Sequence, residues 1–381
     1  MLFRYLIMIA VFLNSCHSAT KPKAASTLAT TSLQSQDKQN WRQASPEYKW
    51  DFPKDHYQHP GFKTEWWYFT GHLESKDDPD TTKFGFQLTF FKVGIRPKSA
   101  GLNSNFATDT MVMAHFAITD KNNGLHRFSE NLLRTHPSQA GFGEAPDRRL
   151  VWIKAPPGSN GIWWLDLNET GFHFRAQDDV QQMGLDIKTT PKKPLIYHGD
   201  KGFSQKSHDP QKGSLYYSFT RMTASGHLSL NGKTYKVEGQ SWMDKEIGST
   251  ILGGSQVGWD WFSIQWLDGS ELMLFHLRQS DGKIDFARTT TISSDGQTQD
   301  DDGNKWILKP VKYWASPNKS RYPTQWMLTG PRGKFSITTP VEHQENTSRL
   351  VPGLKYWEGA IEIINADQQV EGLGFLEMTG R

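Results

Sequence analysis

Three clusters of acidic and aromatic residues hold the most chemical promise in this chain. The first is Trp242-Met243-Asp244. Residues two apart on an extended strand project to one face, so Trp242 and Asp244 would share one wall of any adjoining space. Glu246 has the same parity, and two carboxyls on one wall can divide the roles of acid and base. A carboxylic acid in apolar surroundings keeps its proton, because burial disfavours the charged form. An aromatic face beside it steadies a developing cation by roughly 0.5–2 kcal/mol. The same residues equally suit a plainer role, with Asp244 and Glu246 salt-bridged at a domain junction and Trp242 as core.

The second cluster is Glu65-Trp66-Trp67-Tyr68. Alternation sends Trp66 and Tyr68 to one face and Glu65, Trp67 and Phe69 to the other. A buried Glu65 would need a cationic partner. In the third cluster, Trp259 and Trp261 flank Asp260, which alternation turns the other way, toward solvent or a turn. Glu65, Trp67, Trp259 and Trp261 are candidates to line an aromatic binding space, with barrel staples as the plainer reading. His198 is a candidate for the mouth of that space. His198, Asp200, His208 and Asp209 match no metal-ligand template, so neither metal nor cofactor is expected. His115, inside an apolar run, reads as a hydrogen-bonded core histidine. The chain has no G-x-S-x-G, Walker A or HExxH motif, and Gly199-Asp200-Lys201-Gly202 is too weak a signal for phosphate binding.

The elements that must position these residues are strands. Aromatic residues make up 13% of the 381, with 15 Trp and 22 Phe, a composition suited to pleated sheets and to cavities for apolar ligands. Strand-like runs alternate with Gly, Asp, Asn and Pro turns from Trp50 onward. Asn231-Gly232 joins two runs as a hairpin, because both turn positions want positive φ. Asp268-Gly269 marks another tight turn. No long segment has helical periodicity, so the fold class is all-β, built as barrels or sandwiches. The pair WWYFTGHL and FGFQLTFF resembles WDWFSIQW and ELMLFHLR, which suggests two similar β-domains. The predicted division is 46–245 and 246–381. A net charge of +3, from 43 basic and 40 acidic residues that are interleaved, offers no stripe for nucleic acid.

The first residues read as an address. Arg4 precedes the short apolar run Tyr5 to Leu13, and Leu13-Asn14-Ser15-Cys16 resembles a bacterial lipobox. Residues 1–15 are thus expected to be a signal peptide, with lipidation of Cys16, the only cysteine. Residues 16–45, poor in aromatics, are expected to be a flexible tether. His17 after the Cys favours the periplasmic face of the outer membrane.

Several ordered motifs carry a family resemblance: HPGFKTEWWYFTGHL (59–73), YHGDKGFSQK (197–206), YYSFTRM (216–222), GQSWMDKEIG (239–248), GWDWFSIQW (258–266), YWEG (356–359) and GLGFLEMTG (372–380). Together they resemble the AttH-like proteins of the carotenoid 1,2-hydratase superfamily. The resemblance implies two lipocalin-like antiparallel β-barrel domains packed together, with a site for a hydrophobic ligand near their interface. Relatives include hydratases of isoprenoid double bonds, a fungal phytoalexin hydratase and cyclases of decalin-type polyketides. The hydratases carry an aromatic–x–Asp segment that Trp242 and Asp244 match, with the Asp as proposed acid. Tyr216 and Tyr217 fall near a second aromatic position of the hydratases, and Lys245 stands where many AttH-like relatives carry His. The implied function is binding of an isoprenoid- or lipid-like molecule with acid-catalysed hydration or isomerisation of a C=C bond. The alternative is a non-catalytic carrier working with ABC transporter components, beside which many bacterial members are encoded.

Overall fold

The computed structural model describes residues 41–80, 82–97, 108–250 and 252–381. Cys16 and most of the expected tether lie outside the described residues. Those residues form twenty-three strands and a 3-10 turn at Lys54–His56.

The first thirteen strands are β1 (Thr64–Ser75), β2 (Lys83–Gly94), β3 (Thr110–Asp120), β4 (Leu125–Arg134), β5 (Ala140–Phe142), β6 (Arg149–Lys154), β7 (Ile162–Asn168), β8 (Gly171–Asp178), β9 (Met183–Pro191), β10 (Ile196–Tyr197), β11 (Phe203–Gln205), β12 (Gly213–Leu230) and β13 (Lys233–Gly248). They make one antiparallel sheet in the order β4-β3-β2-β1-β13-β12-β9-β8-β7-β6-β5, with β10 and β11 added on β12. Its two ends meet where β4 approaches β5 and β6, so the sheet curls into a nearly closed barrel.

The other ten are β14 (Gln256–Trp266), β15 (Glu271–Gln279), β16 (Ile284–Ile292), β17 (Thr298–Asp301), β18 (Ile307–Ala315), β19 (Arg321–Gly330), β20 (Gly333–Thr338), β21 (Glu345–Thr347), β22 (Lys355–Ile364) and β23 (Val370–Thr379). Their order is β17-β16-β15-β14-β23-β22-β20-β19-β18, with β21 beside β22. The all-β architecture of two antiparallel sheets expected from the sequence is the one observed, the first sheet being a nearly closed barrel.

The internal resemblance has a topological meaning. In each sheet the aromatic opening strand, β1 or β14, lies between its hairpin partner and the last strand of that sheet. The chain passes from one sheet to the other between Gly248 and Gln256. This is a few residues beyond the predicted 245/246 division, because β13 stays paired with β1 as far as Thr64↔Gly248. Asn231 and Gly232 have φ of 54° and 77°, so the β12–β13 hairpin turns as its sequence predicts.

Each sheet encloses its own core. Trp67, Phe69, Tyr217 and Met243 belong to the first, and Phe262, Ile264, Trp266 and Trp357 to the second. A third cluster lies between the sheets, with Tyr68, Tyr216 and Trp242 from one side and Trp261, Phe275 and Phe375 from the other. Glu271, fully buried, ties the seam together through Arg221 Nε and Lys193 Nζ, each at 2.6 Å.

Candidate active site

Register fixes which residues meet at the seam. On β1, β13 and β12, Tyr68 pairs with Asp244 and Asp244 with Ser218, while Trp66 pairs with Glu246 and Glu246 with Tyr216. All six share the outer face of the first barrel. They face β14, β15, β22 and β23 across a cavity of about 180 Å³. Its apolar walls include Trp66, Phe91, Met113, Trp259, Trp261 and Phe275.

Asp244 is 3% exposed and opens onto this cavity. Its Oδ1 accepts the Trp242 indole N–H at 2.7 Å and the Ser218 hydroxyl. Burial pushes the carboxyl up to about 7, against the opposing pull of bonds from Ser218, Trp242 and Tyr216; Glu246 adds to the rise. Trp242 does not line the cavity. It packs edge-on against Trp261 at 6.3 Å and aims its N–H at the acid. Glu246 pairs with Lys206 at 3.0 Å and accepts the Ser214 hydroxyl. Lys206 in turn sits over the Phe275 ring at 4.2 Å.

The opposite wall holds two more acids, Glu358 on β22 and Glu377 on β23, directly across from each other in the ladder. Like charges so placed repel. Burial raises Glu358 well above the usual carboxylate range, and Glu377 adds to this. Burial likewise pushes Glu377 up to about 7, against a bond of 3.0 Å from Trp259 Nε1.

A chain of hydrogen bonds leads away from Asp244. Ser218 Oγ and His198 Nε2 are 2.7 Å apart, His198 Nδ1 and Thr290 Oγ1 2.9 Å, and Thr290 Oγ1 and the Oδ1 of exposed Asp300 2.5 Å. His198 is fully buried behind Tyr216, 4.3 Å between ring centroids, rather than at the cavity mouth. Burial and nearby Lys206 pull its ring down to about 3, so it is neutral.

Of the sequence candidates, Asp244, Glu246, Tyr216, Trp259 and Trp261 line the cavity. Glu65, Trp67 and Tyr217 lie on the opposite face of their strands, inside the first barrel. Glu65 there meets Lys92 and Lys245, each at 2.8 Å, and His59 at 3.0 Å. Burial works to raise its carboxyl, but Lys245, His59 and Lys92 outweigh that and hold it low. Lys245 also stands over Trp67, 3.3 Å from the ring centre. Asp260, expected toward solvent, is 2% exposed and paired with Arg278 at 3.0 Å and Arg381 at 2.6 Å. The even positions of β14 face the second core, and two arginines make a buried Asp tolerable there. His115 is buried and bonded to Tyr356, 2.7 Å from Nδ1 to the hydroxyl, yet it also lines the cavity.

The sequence reading missed Glu358, Glu377 and Tyr68. Each lay in a quoted motif, and a single acid inside a run of strand-forming apolar residues was the available signal.

Two antiparallel sheets docked side by side, the first a nearly closed barrel, with a buried acidic and aromatic cavity at their seam, define a lipocalin-like protein. More narrowly, the chain belongs to the AttH-like family, whose profile matches residues 43–381. It is similar to an AttH protein of Nitrosomonas europaea, with 29% identity and a TM-score of 0.76 over 89% of this chain and 99% of that one. It shares the fold of kievitone hydratase from Nectria haematococca, with 12% identity and a TM-score of 0.61 over 90% of this chain and 96% of that one. No curated protein matches the sequence. Family and fold are thus those the motifs implied.

Proposed function

We propose that the seam cavity binds a hydrophobic, isoprenoid- or lipid-like molecule and hydrates or isomerises one of its C=C bonds, with Asp244 as the acid. The observation that carries this reading is the Asp244 carboxyl, shielded from bulk water and opening onto an aromatic cavity. Trp242 and Ser218 hold Oδ1 and so fix the orientation of the protonated carboxyl. Its proton passes to one alkene carbon as the π pair forms the new C–H bond. The cation left on the neighbouring carbon lies among the faces of Trp66, Trp259 and Trp261. Water adds to it and returns a proton to the carboxylate, giving an alcohol. Loss of a proton from an adjacent carbon gives the isomer instead. A fold shared with a hydratase supports this reading.

Asp244→Asn keeps the shape and the acceptor oxygen but has no proton to give. It should abolish turnover and spare binding, as read by mass spectrometry of hydrophobic material extracted from wild type and variant made in the native host. The variant should hold a compound one water lighter than, or isomeric with, that held by wild type. The same molecule in both would make the protein a carrier, serving for example a transporter, and would end the catalytic reading.

The lone Cys16 in its lipobox setting supports a place at the cell envelope. Labelled palmitate should enter the protein and be lost in Cys16→Ser; equal labelling of both would remove the anchor.

A further inference from the structure

The seam cavity has a polar end that its apolar walls do not explain. Four buried polar atoms from cavity-lining residues make no well-formed hydrogen bond among the described residues: the Tyr68 hydroxyl, Gln87 Oε1, His115 Nε2 and Glu358 Oε1, the Tyr68 hydroxyl and the Glu358 carboxyl being near enough to interact with each other. Their residues are 6%, 2%, 1% and 2% exposed. Buried polar atoms normally find partners, and two orphans, Gln87 Oε1 and His115 Nε2, beside an imperfectly bonded Tyr68 and Glu358 around one space point to a group that is bound there.

Register places them together. Tyr68, Thr89 and His115 are direct neighbours on β1, β2 and β3, a span of about 10 Å at ordinary strand spacing. Gln87 lies two residues from Thr89 and gives its amide N–H to that hydroxyl at 2.6 Å, which leaves its carbonyl free to accept. The Tyr356 hydroxyl sits 2.7 Å from His115 Nδ1, so with Tyr356 donating, His115 presents Nε2–H to the cavity. Glu130 is 3.9 Å from Nε2, beyond hydrogen-bond reach.

Charge narrows the ligand class. The cavity is lined by Asp244, Glu246, Glu358 and Glu377 but only two lysines. Lys206 is paired with Glu246 at 3.0 Å, and Lys355 reaches away to the Asn318 carbonyl at 2.8 Å. Among the described lining residues four acids therefore face two lysines, one of them already ion-paired, a balance that disfavours a carboxylate or phosphate.

We infer that Tyr68, Gln87, His115 and Glu358 form a subsite for a neutral oxygen function, a hydroxyl or carbonyl, on an otherwise hydrocarbon ligand. This rests on the reading of the cavity as a hydrophobic-ligand site and makes that ligand an alcohol, phenol or ketone, not a bare hydrocarbon or a lipid acid.

The test compares geraniol, its parent hydrocarbon and geranic acid as probes, with binding to the full chain carrying Cys16→Ser followed by tryptophan fluorescence at neutral pH. Geraniol should bind about tenfold more tightly than either of the others, the worth of one well-made neutral hydrogen bond. Tyr68→Phe and Gln87→Leu should each shrink that preference to about threefold or less, with the fold of each variant checked by thermal unfolding. Equal binding of alcohol and hydrocarbon, tightest binding of the acid, or an unchanged preference in both variants would overturn the subsite while leaving the hydrophobic cavity standing. Binding of none of the three would overturn the hydrophobic-ligand reading, and the subsite with it.

Discussion

Asp244 makes the protein's stability depend on pH in an unusual direction. Burial holds its carboxyl at about 7 in the folded chain, against about 3.9 when unfolded. Between those values the folded state holds a proton that the unfolded state has released, so this residue's contribution to stability falls as pH rises through that window. Asp244→Asn carries no such dependence. Relative to wild type, the variant should match at pH 4 and gain roughly 3–4 kcal/mol by pH 8, measured by denaturant unfolding at several pH values. A difference that does not change with pH would mean that Asp244 is ionised in the native protein. Much at this scale was legible. The parity of Trp242, Asp244 and Glu246, and the split of Trp66 and Tyr68 from Glu65 and Trp67, follow from alternation alone. The side on which the cavity lies does not follow, because both faces of β1 are aromatic. That is how Glu65, Trp67 and Tyr217 came to stand among the ligand-binding candidates while Tyr68 did not.

Strand β12 shows how an element can hide from its own sequence. The runs Ser214 to Arg221 and His227 to Leu230 read as separate strands, yet they form one strand of 18 residues. Register shifts between Phe219 and Met222. Core positions before this bulge are odd, Tyr217 and Phe219, and after it even, Met222, Ala224 and Leu228. A bulge reverses the in–out pattern, so period-two alternation cannot be followed through it. It also lets Thr220 and Arg221 both approach Glu271, at 3.4 Å and 2.6 Å. Glu271→Ala leaves Arg221 and Lys193 without their buried partner and should cost roughly 3–5 kcal/mol in unfolding free energy. Glu271→Gln, which keeps one acceptor oxygen, should cost less. A loss below about 1 kcal/mol for the alanine variant would show that the seam is held by its apolar cluster alone.

Over the whole molecule, two similar β-domains were legible from the repeated aromatic hairpins and the turn chemistry between them. That they pack together followed from the family resemblance, but which faces meet did not, since that depends on which outer face of each sheet is apolar, and strands that are apolar on both faces carry no mark of it. Phe69, Trp67 and their neighbours fill the first barrel, and the cavity lies outside it, against the second sheet. The first sheet is complete in the chain by Gly248, and every strand that covers its aromatic outer face comes later. During synthesis, therefore, Trp66, Tyr68, Tyr216 and Trp242 are all made before the strands of the second sheet that cover them. Glu358 and Glu377 lie on β22 and β23, so the pocket closes only once the second sheet has been made, and the bare wall that precedes it is what a chaperone would have to shield.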